Sequence, residues 1–332
     1  DIGDDVFAWC RALSSVRLPE GWTVISDGLF SGCNSLRSIE LPEGLTEIGD
    51  EAFSYCSSLS SIELPESLTV IGDGAFSWCL SLSRIELPAG LPEIGARVFL
   101  ECSSLNSIKL PEELETIGDE AFSGCSSLRS IELPGGLTMI GDEAFSGCSS
   151  LSSIELPTGL TTIGNQAFIG CNSLRSIELP AQLNNLAPGA FRSCEKLETF
   201  SVVPNHNIYA TVDGILYEKA TQTLIAYPEG RGATTLIVPE GTRAIGDKAF
   251  FGCPSLSGIE LPEGLETIGN YAFADCSSLS GIELPKGLET MGEGAFKWCS
   301  SLSSIELSEG LTTIGDEAFS GCDSLSSVEL PA

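Results

Sequence analysis

The residues with the most chemical potential in this 332-residue chain are its thirteen cysteines, and they fall on one grid. Cys10, Cys33, Cys56, Cys79 and the thiols that follow recur every 23 residues as far as Cys194, and the grid resumes from Cys253 to Cys322. Structural zinc needs paired cysteines at close spacing, such as C-x₂-C, and here no two lie nearer than 23 residues. In a parallel stack of repeats, equivalent Cβ vectors point the same way rather than toward each other, which disfavours disulfides between neighbours. The spacing therefore predicts a column of buried free thiols, with Cys33, Cys56 and Cys79 serving as small apolar core residues.

Other reactive groups are sparse or serial. His206 is the single histidine, and there is no G-x-S-x-G, no glycine loop to cradle phosphate and no cluster of metal ligands. Carboxylates abound, 46 against 16 Lys and Arg for a net charge of -30. A glycosidase needs two carboxyl groups held in different environments, whereas these rows repeat one environment many times. The expectation is a non-enzyme with no cofactor and no metal. Strong acidity also argues against nucleic acid and anionic lipid as partners. No stretch approaches eighteen consecutive apolar residues, so no membrane insertion is expected. The opening DIGDDVFAWC lacks the basic and apolar regions of a signal peptide. The sequence starts and stops part-way through a repeat and reads as an excised fragment.

The elements that must carry these groups follow from the period. A 332-residue globular chain would ordinarily divide into domains, but a stack of repeats escapes that limit because each unit contacts only its neighbours. In the unit from Leu59 to Leu82, Leu59, Ile62 and Leu64 follow L-x-x-I-x-L spacing and Pro65 ends the run, which reads as a short strand with alternate residues inward. Leu68 and Ile71 supply a second inward pair. Gly72-Asp73-Gly74 then turns the chain, and Ala75, Phe76 and Cys79 return it. Phe76 and Cys79 are three apart, which suits a helical or 3₁₀ turn. The aspartate at its start, as in Asp50, Asp119, Asp142 and Asp316, reads as an N-cap. Stacked in register, equivalent residues form columns, and Phe53, Phe76 and the cysteines join the aliphatic columns in one long core.

The same register lays out the surface. One outward strand column reads Arg17, Glu40, Glu63, Glu86, Lys109, Glu132, Glu155, Glu178, Ser201, Glu260, Glu283, Glu306 and Glu329, beside a mostly serine column in which Arg84 is the exception of the first block. Like charges opposite one another on paired strands repel, so the column calls for screening by salt, for relief from Lys109 and nearby arginines, or for a cationic partner. Trp9, Tyr55, Trp78 and Trp298 stand before cysteines where most repeats have glycine, and Tyr55 and Trp78, one repeat apart, can stack. From Cys194 to Cys253 the step is 59, one repeat plus a 36-residue insertion. Within it, Gly214-Ile215-Leu216-Tyr217 and Thr223-Leu224-Ile225-Ala226-Tyr227 flank a polar stretch and read as a β-hairpin projecting from, or packed along, the coil. This segment holds His206 and three of the five tyrosines, Tyr209, Tyr217 and Tyr227.

The pattern L-x-x-I-x-LP followed by GLTxIGxxAFxxC resembles the BspA-like leucine-rich repeats of bacterial and protozoan surface proteins, over nearly the whole chain, and the segment YATVDGILYEKATQTLIAYPEG at Tyr209 to Gly230 resembles an interruption found in members of that family. The resemblance implies a right-handed leucine-rich-repeat solenoid with a parallel concave β-sheet and short helical or 3₁₀ turns on the convex side. Residues 1–202 and 234–332 would be two blocks of repeats in one continuous solenoid, and 203–233 the hairpin insertion. It further implies an extracellular or cell-surface protein that mediates adhesion. The expected partner is a protein on a host or neighbouring cell, with glycan as a further candidate. Candidate ligand-binding residues are Glu40, Glu63, Arg84, Glu86, Lys109, Glu132, Glu155 and Glu178 on the concave face and Tyr209, Tyr217 and Tyr227 in the insertion. The competing readings are a structural spacer without its own ligand, which the uniformity of the Ser/Glu columns favours, and cation-dependent assembly through the acidic ladder.

Overall fold

A computed structural model describes residues 2–329. Two compact units are present: the first runs to Leu174 and takes in Pro180–Ala190, and the second comprises Arg175–Leu179 and the chain from Phe191 onward. Each is a parallel-strand solenoid, the thirteen cysteines marking about thirteen turns in all.

In the first unit short strands form at two positions of the repeat, the first of them in only some turns. One is the expected S-I-E strand, where Arg84–Glu86 pairs with Ser107–Lys109 and Arg17 bridges Glu40. The other, more continuous ladder lies at T-x-I-G. Val24–Ile25, Glu47–Ile48 and Val70–Ile71 form three strands of it, and Glu93–Ile94, Thr116–Ile117, Met139–Ile140, Thr162–Ile163 and Asn185–Leu186 form five more. Every pairing is parallel and offset by one repeat, as in Val24 with Glu47 and Thr116 with Met139. The strands are short for two reasons. The proline after S-I-E-L has no N–H to give to a ladder. The glycine after the second strand lies directly against the preceding turn: a Cβ on Gly118 would stand 2.8 Å from the Gly95 carbonyl carbon, and one on Gly72 2.4 Å from the Asp50 nitrogen.

The return side departs from the expected helical or 3₁₀ turn. Gly74, Phe76 and Trp78 donate their N–H groups to the carbonyls of Ala96, Val98 and Leu100 in the next turn, at 2.8, 3.0 and 2.7 Å. Ala75, Ser77 and Cys79 instead donate three residues back, to Gly72, Gly74 and Phe76. This alternation needs left-handed backbone at Gly74 (φ 63°) and Trp78 (φ 60°). A helix would aim every N–H along its own axis and leave nothing to bond the adjacent turn. Alternating turns give a second inter-turn ladder, and among the described residues the one 3₁₀ segment is Glu229–Arg231 in the insertion.

The aspartates are not N-caps of their own turns. Asp27, Asp50 and Asp73 accept through Oδ1 from the backbone N–H of Asp50, Asp73 and Ala96, and Asp119 and Asp142 accept from Asp142 and Asn165, all at 2.7–2.8 Å. Because the turn is not helical, the free N–H groups belong to the next turn, and the carboxylates form a rung between turns.

The core of the first unit is the set of columns the sequence implies, with one adjustment. Phe7, Phe30, Phe53, Phe76, Phe99, Phe122, Phe145 and Phe168 stack face to face with centroids 5.3–5.8 Å apart. The leucine before proline is fully inside only in some turns: Leu87 and Leu110 are buried, while Leu41, Leu64 and Leu133 are half-buried.

In the second unit Ser176–Leu179 pairs in parallel with Thr199–Val202, and the insertion follows. The two segments expected to form a hairpin pair antiparallel, and a third strand joins them. Tyr209–Val212, Ile215–Glu218 and Thr223–Ala226 form an antiparallel meander, and Thr223–Ala226 then pairs in parallel with Ala244–Ile245. That pairing starts the T-x-I-G ladder continued by Thr267–Ile268, Thr290–Met291 and Thr313–Ile314. Tyr227 stacks on Phe250 at 5.1 Å and heads the column of Phe250, Phe273, Phe296 and Phe319. The insertion is thus packed into the coil and supplies its first rung.

Candidate binding face

The groups read as reactive are held in the interior. Twelve of the thirteen cysteines are buried and none is joined in a disulfide, while Cys10 is exposed. From turn to turn the thiol donates to a phenylalanine carbonyl 26 residues earlier, as in Cys56 to Phe30, Cys79 to Phe53 and Cys148 to Phe122, each 3.2 Å. Burial pushes the Cys56, Cys102 and Cys148 thiols up to about 12, where the reactive thiolate is suppressed. His206 is buried as well, and its Nδ1 accepts the N–H groups of Ile208 and Tyr209, both at 3.1 Å. That bond set fixes the turn into the first strand of the meander. Among the described residues no three His, Cys, Asp or Glu side chains come together to hold a metal ion.

The insertion tyrosines are not a surface. Tyr209, Tyr217 and Tyr227 are only 5%, 8% and 7% exposed, because Tyr217 and Tyr227 join the core that Phe250 and Ile245 line and Tyr209 packs against the buried His206, ring centroids 5.1 Å apart. Burial pushes the Tyr217 hydroxyl up to about 12. The reading of these three as ligand contacts is therefore corrected. A residue the sequence did not single out, Glu229, closes the break. Its Oε1 accepts the Ser193 N–H at 3.2 Å, the position at which a regular turn supplies a backbone carbonyl, and Gly230 donates to the Leu197 carbonyl at 2.8 Å. Burial, with Glu195 and Asp275 nearby and opposed by the Ser193 N–H and Arg192, pushes the Glu229 carboxyl up to about 7.

What remains on the outside is the S-I-E strand row. In the first unit Glu40, Glu63, Arg84, Glu86, Lys109, Glu132 and Glu155 are all exposed, and Glu178 is exposed in the second. Glu86 and Lys109 face each other in register and form an ion pair, which holds the Glu86 carboxyl below the usual range and the Lys109 ammonium above it. Arg84 on the same strand adds to the pull on Glu86. Open grooves run along this face, one of about 530 Å³ between Glu63 and Glu86 and one of about 470 Å³ between Lys109 and Glu132. In the second unit a groove of about 600 Å³ is floored by Gly258 and Gly281 and edged by Glu260, Glu283 and Glu306. The two glycines are visible in the sequence as breaks in the serine column.

Away from that face, Tyr55 and Trp78 stack at 5.6 Å with a 9° interplanar angle, and Trp9 reaches over Gly32 to Tyr55 at 5.7 Å. All three aromatic residues have φ near 60°, which explains why most turns use glycine there.

The repeat architecture has counterparts. The model of the BspA type leucine rich repeat region matches residues 1–129, 92–212 and 227–332. This chain belongs to the BspA-type leucine-rich-repeat family. A leucine-rich repeat protein from Bacteroides ovatus is 33% identical over 98% of this chain and 81% of its own, with a TM-score of 0.71. A leucine rich cell surface protein from Faecalibacterium prausnitzii is 28% identical over 96% of this chain and 87% of its own, with a TM-score of 0.68. A leucine-rich repeat protein from Eubacterium ventriosum, 22% identical over 90% of this chain and 73% of its own with a TM-score of 0.53, shares the fold. No curated protein matches. No helix among the described residues of this BspA-type chain is long and apolar enough to cross a membrane.

Proposed function

We propose that this BspA-type repeat chain is a non-enzymatic protein-interaction module of a secreted or cell-surface protein, and that it binds through the outward S-I-E strand row. The observation that carries the reading is that row itself: exposed, charged, recurring with the repeat and lined by open grooves, while twelve of the thirteen thiols, the histidine and the three insertion tyrosines are turned inward. Loops carry recognition in many folds because they vary; here the insertion is absorbed into the core, which leaves the strand face as the available surface. Resemblance to a protein described as a cell surface protein supports the location.

The test is charge reversal on two faces of the first unit. Glu63, Glu132 and Glu155 changed to Lys alter the strand row. Glu47, Glu93 and Glu115 changed to Lys make the same charge change elsewhere on the exposed surface. Capture of host or neighbouring-cell surface protein, measured by flow cytometry with labelled chain, is expected to fall with the first set and persist with the second. Equal responses to the two sets would remove the strand row as the binding surface. The uniformity of the Ser/Glu columns supports a second reading, a spacer that displays another part of its protein, and absence of any cell binding by the unaltered chain would favour it.

A further inference from the structure

We propose that the strand face of the second unit is a docking groove for an extended, lysine- or arginine-bearing peptide segment; this rests on the strand row being the binding surface. The groove crosses the parallel strands Thr235–Ile237, Gly258–Glu260, Gly281–Ile282 and Ser304–Glu306. Three features separate it from the corresponding surface of the first unit.

The first is its floor. Gly258 and Gly281 stand opposite each other in register, in the column where most other turns carry serine. Neither has positive φ, a Cβ on Gly281 would meet nothing within 4 Å, and one on Gly258 would come no nearer than 3.7 Å to any atom. Glycine weakens a strand, so a glycine that neither backbone geometry nor packing requires marks a place where something approaches the backbone closely. The second is charge. Glu260, Glu283 and Glu306 lie along one edge, and Glu283 and Glu306 are bridged strand to strand. In the first unit the row is relieved by the pair of Lys109 with Glu86. In the second unit the salt bridges among the described residues join Arg175 to Glu198, Arg243 to Glu266 and Lys297 to Glu317, and none reaches these three carboxylates. The third is Ile237, 70% exposed, which pairs with Glu260 and occupies the row's own position at one end.

Together they describe a bare strip of backbone, an unneutralised acidic rail beside it and an apolar contact at its end. The aliphatic stems of lysine or arginine lie along apolar or bare surface while their heads reach out to charge. An extended peptide laid on the glycine strip would place its cations on Glu260, Glu283 and Glu306 and an apolar residue against Ile237. Like-charge repulsion along the rail, which none of the ion pairs among the unit's described residues offsets, is relieved by that occupant.

The experiment uses the whole chain and a fluorescein-labelled peptide of alternating lysine and alanine with a terminal leucine, its binding followed by fluorescence anisotropy. E260Q/E283Q/E306Q is expected to weaken binding about tenfold, while E47Q/E93Q/E115Q, with the same charge change off the strand row, leaves it unchanged. G258S/G281S, which restores the serine of other turns where space allows it, is expected to weaken binding while circular dichroism and melting temperature show an intact fold. Equal weakening by the two glutamine triples would overturn the proposal by assigning binding to net charge. Full binding by G258S/G281S would overturn it by removing the glycine floor, and undiminished binding of a peptide with serine in place of lysine would overturn the cationic partner. Cell capture that responds to the strand-row reversals alongside a peptide that ignores the groove variants removes this inference alone. Cell capture indifferent to those reversals removes the parent reading.

Discussion

At the scale of single residues, close approach between turns decides which glycines are replaceable. Gly141 has no space for a side chain, since a Cβ would lie 2.4 Å from Asp119 Oδ1 and 2.8 Å from the Asp119 nitrogen. Gly141→Ala is expected to cost at least about 1–3 kcal/mol through overpacking, read from urea denaturation. Two residues on, Glu143 sits at φ 53°, where a side chain is strained. Glu143→Gly is expected to be neutral or to stabilise by up to about 1 kcal/mol; a loss comparable to that of Gly141→Ala would mean that the left-handed turns are misplaced. The thiols give a count. Reaction with a maleimide at neutral pH is expected to label Cys10 in the native chain and all thirteen cysteines after denaturation without reductant. A lower denatured count would establish disulfides.

At the scale of elements, the insertion is held by Glu229 as a substitute for a backbone carbonyl. Its carboxyl is raised from 4.5 to about 7, so the fold favours the protonated form. The stability that preference contributes is complete below about 4.5 and is lost as pH rises to about 7. Glu229→Gln keeps an acceptor for the Ser193 N–H and cannot ionise. It is expected to raise the melting temperature at pH 8 and to change it little at pH 4, and a uniform shift at both would show that ionisation is not the cause. Of the insertion, the sequence made legible the two strands around Leu216 and Leu224. The third, Tyr209–Val212, has no alternating pattern strong enough to declare itself, and whether Tyr227 faces solvent or stacks on Phe250 depends on where Thr223–Ala226 docks.

At the scale of the whole molecule, repetition multiplies small terms. Eleven cysteines, Cys33 and Cys322 among them, have thiols pushed above 9.0, with burial the first cause in each. Unfolded thiols ionise near 9.0 while folded ones stay neutral, so the stability they confer is full below that pH and is lost as pH rises toward about 12. The chain is expected to unfold in a steep alkaline transition above pH 9, with a slope reporting several protons, and replacing four mid-array cysteines with alanine should flatten it. A transition no steeper than a single group gives would contradict burial of the column. Net charge of -30, with carboxylates in rows, makes the opposite demand at neutral pH. Sodium chloride raised from about 10 mM to about 500 mM shortens the Debye length from about 30 Å toward a few Å and is expected to raise the melting temperature, whereas a fall would mean that the ion pairs outweigh the rows.

The sequence by itself determined the period, the membership of every column and the burial of Phe53, Phe76 and every cysteine but Cys10, because apolar side chains recurring at fixed spacing can be buried together only by stacking in register. It also placed the Ser/Glu row outside. What it could not determine is where each backbone N–H goes. A 23-residue period is equally compatible with a helical return and with the alternating left-handed turns seen at Gly74 and Trp78, and only the bonds to Ala96, Val98 and Leu100 choose between them. The same holds for the aspartates that serve the next turn, for the T-x-I-G ladder and for the buried tyrosines. Each depends on contacts between residues a full repeat or more apart, and those contacts exist only once the turns are stacked.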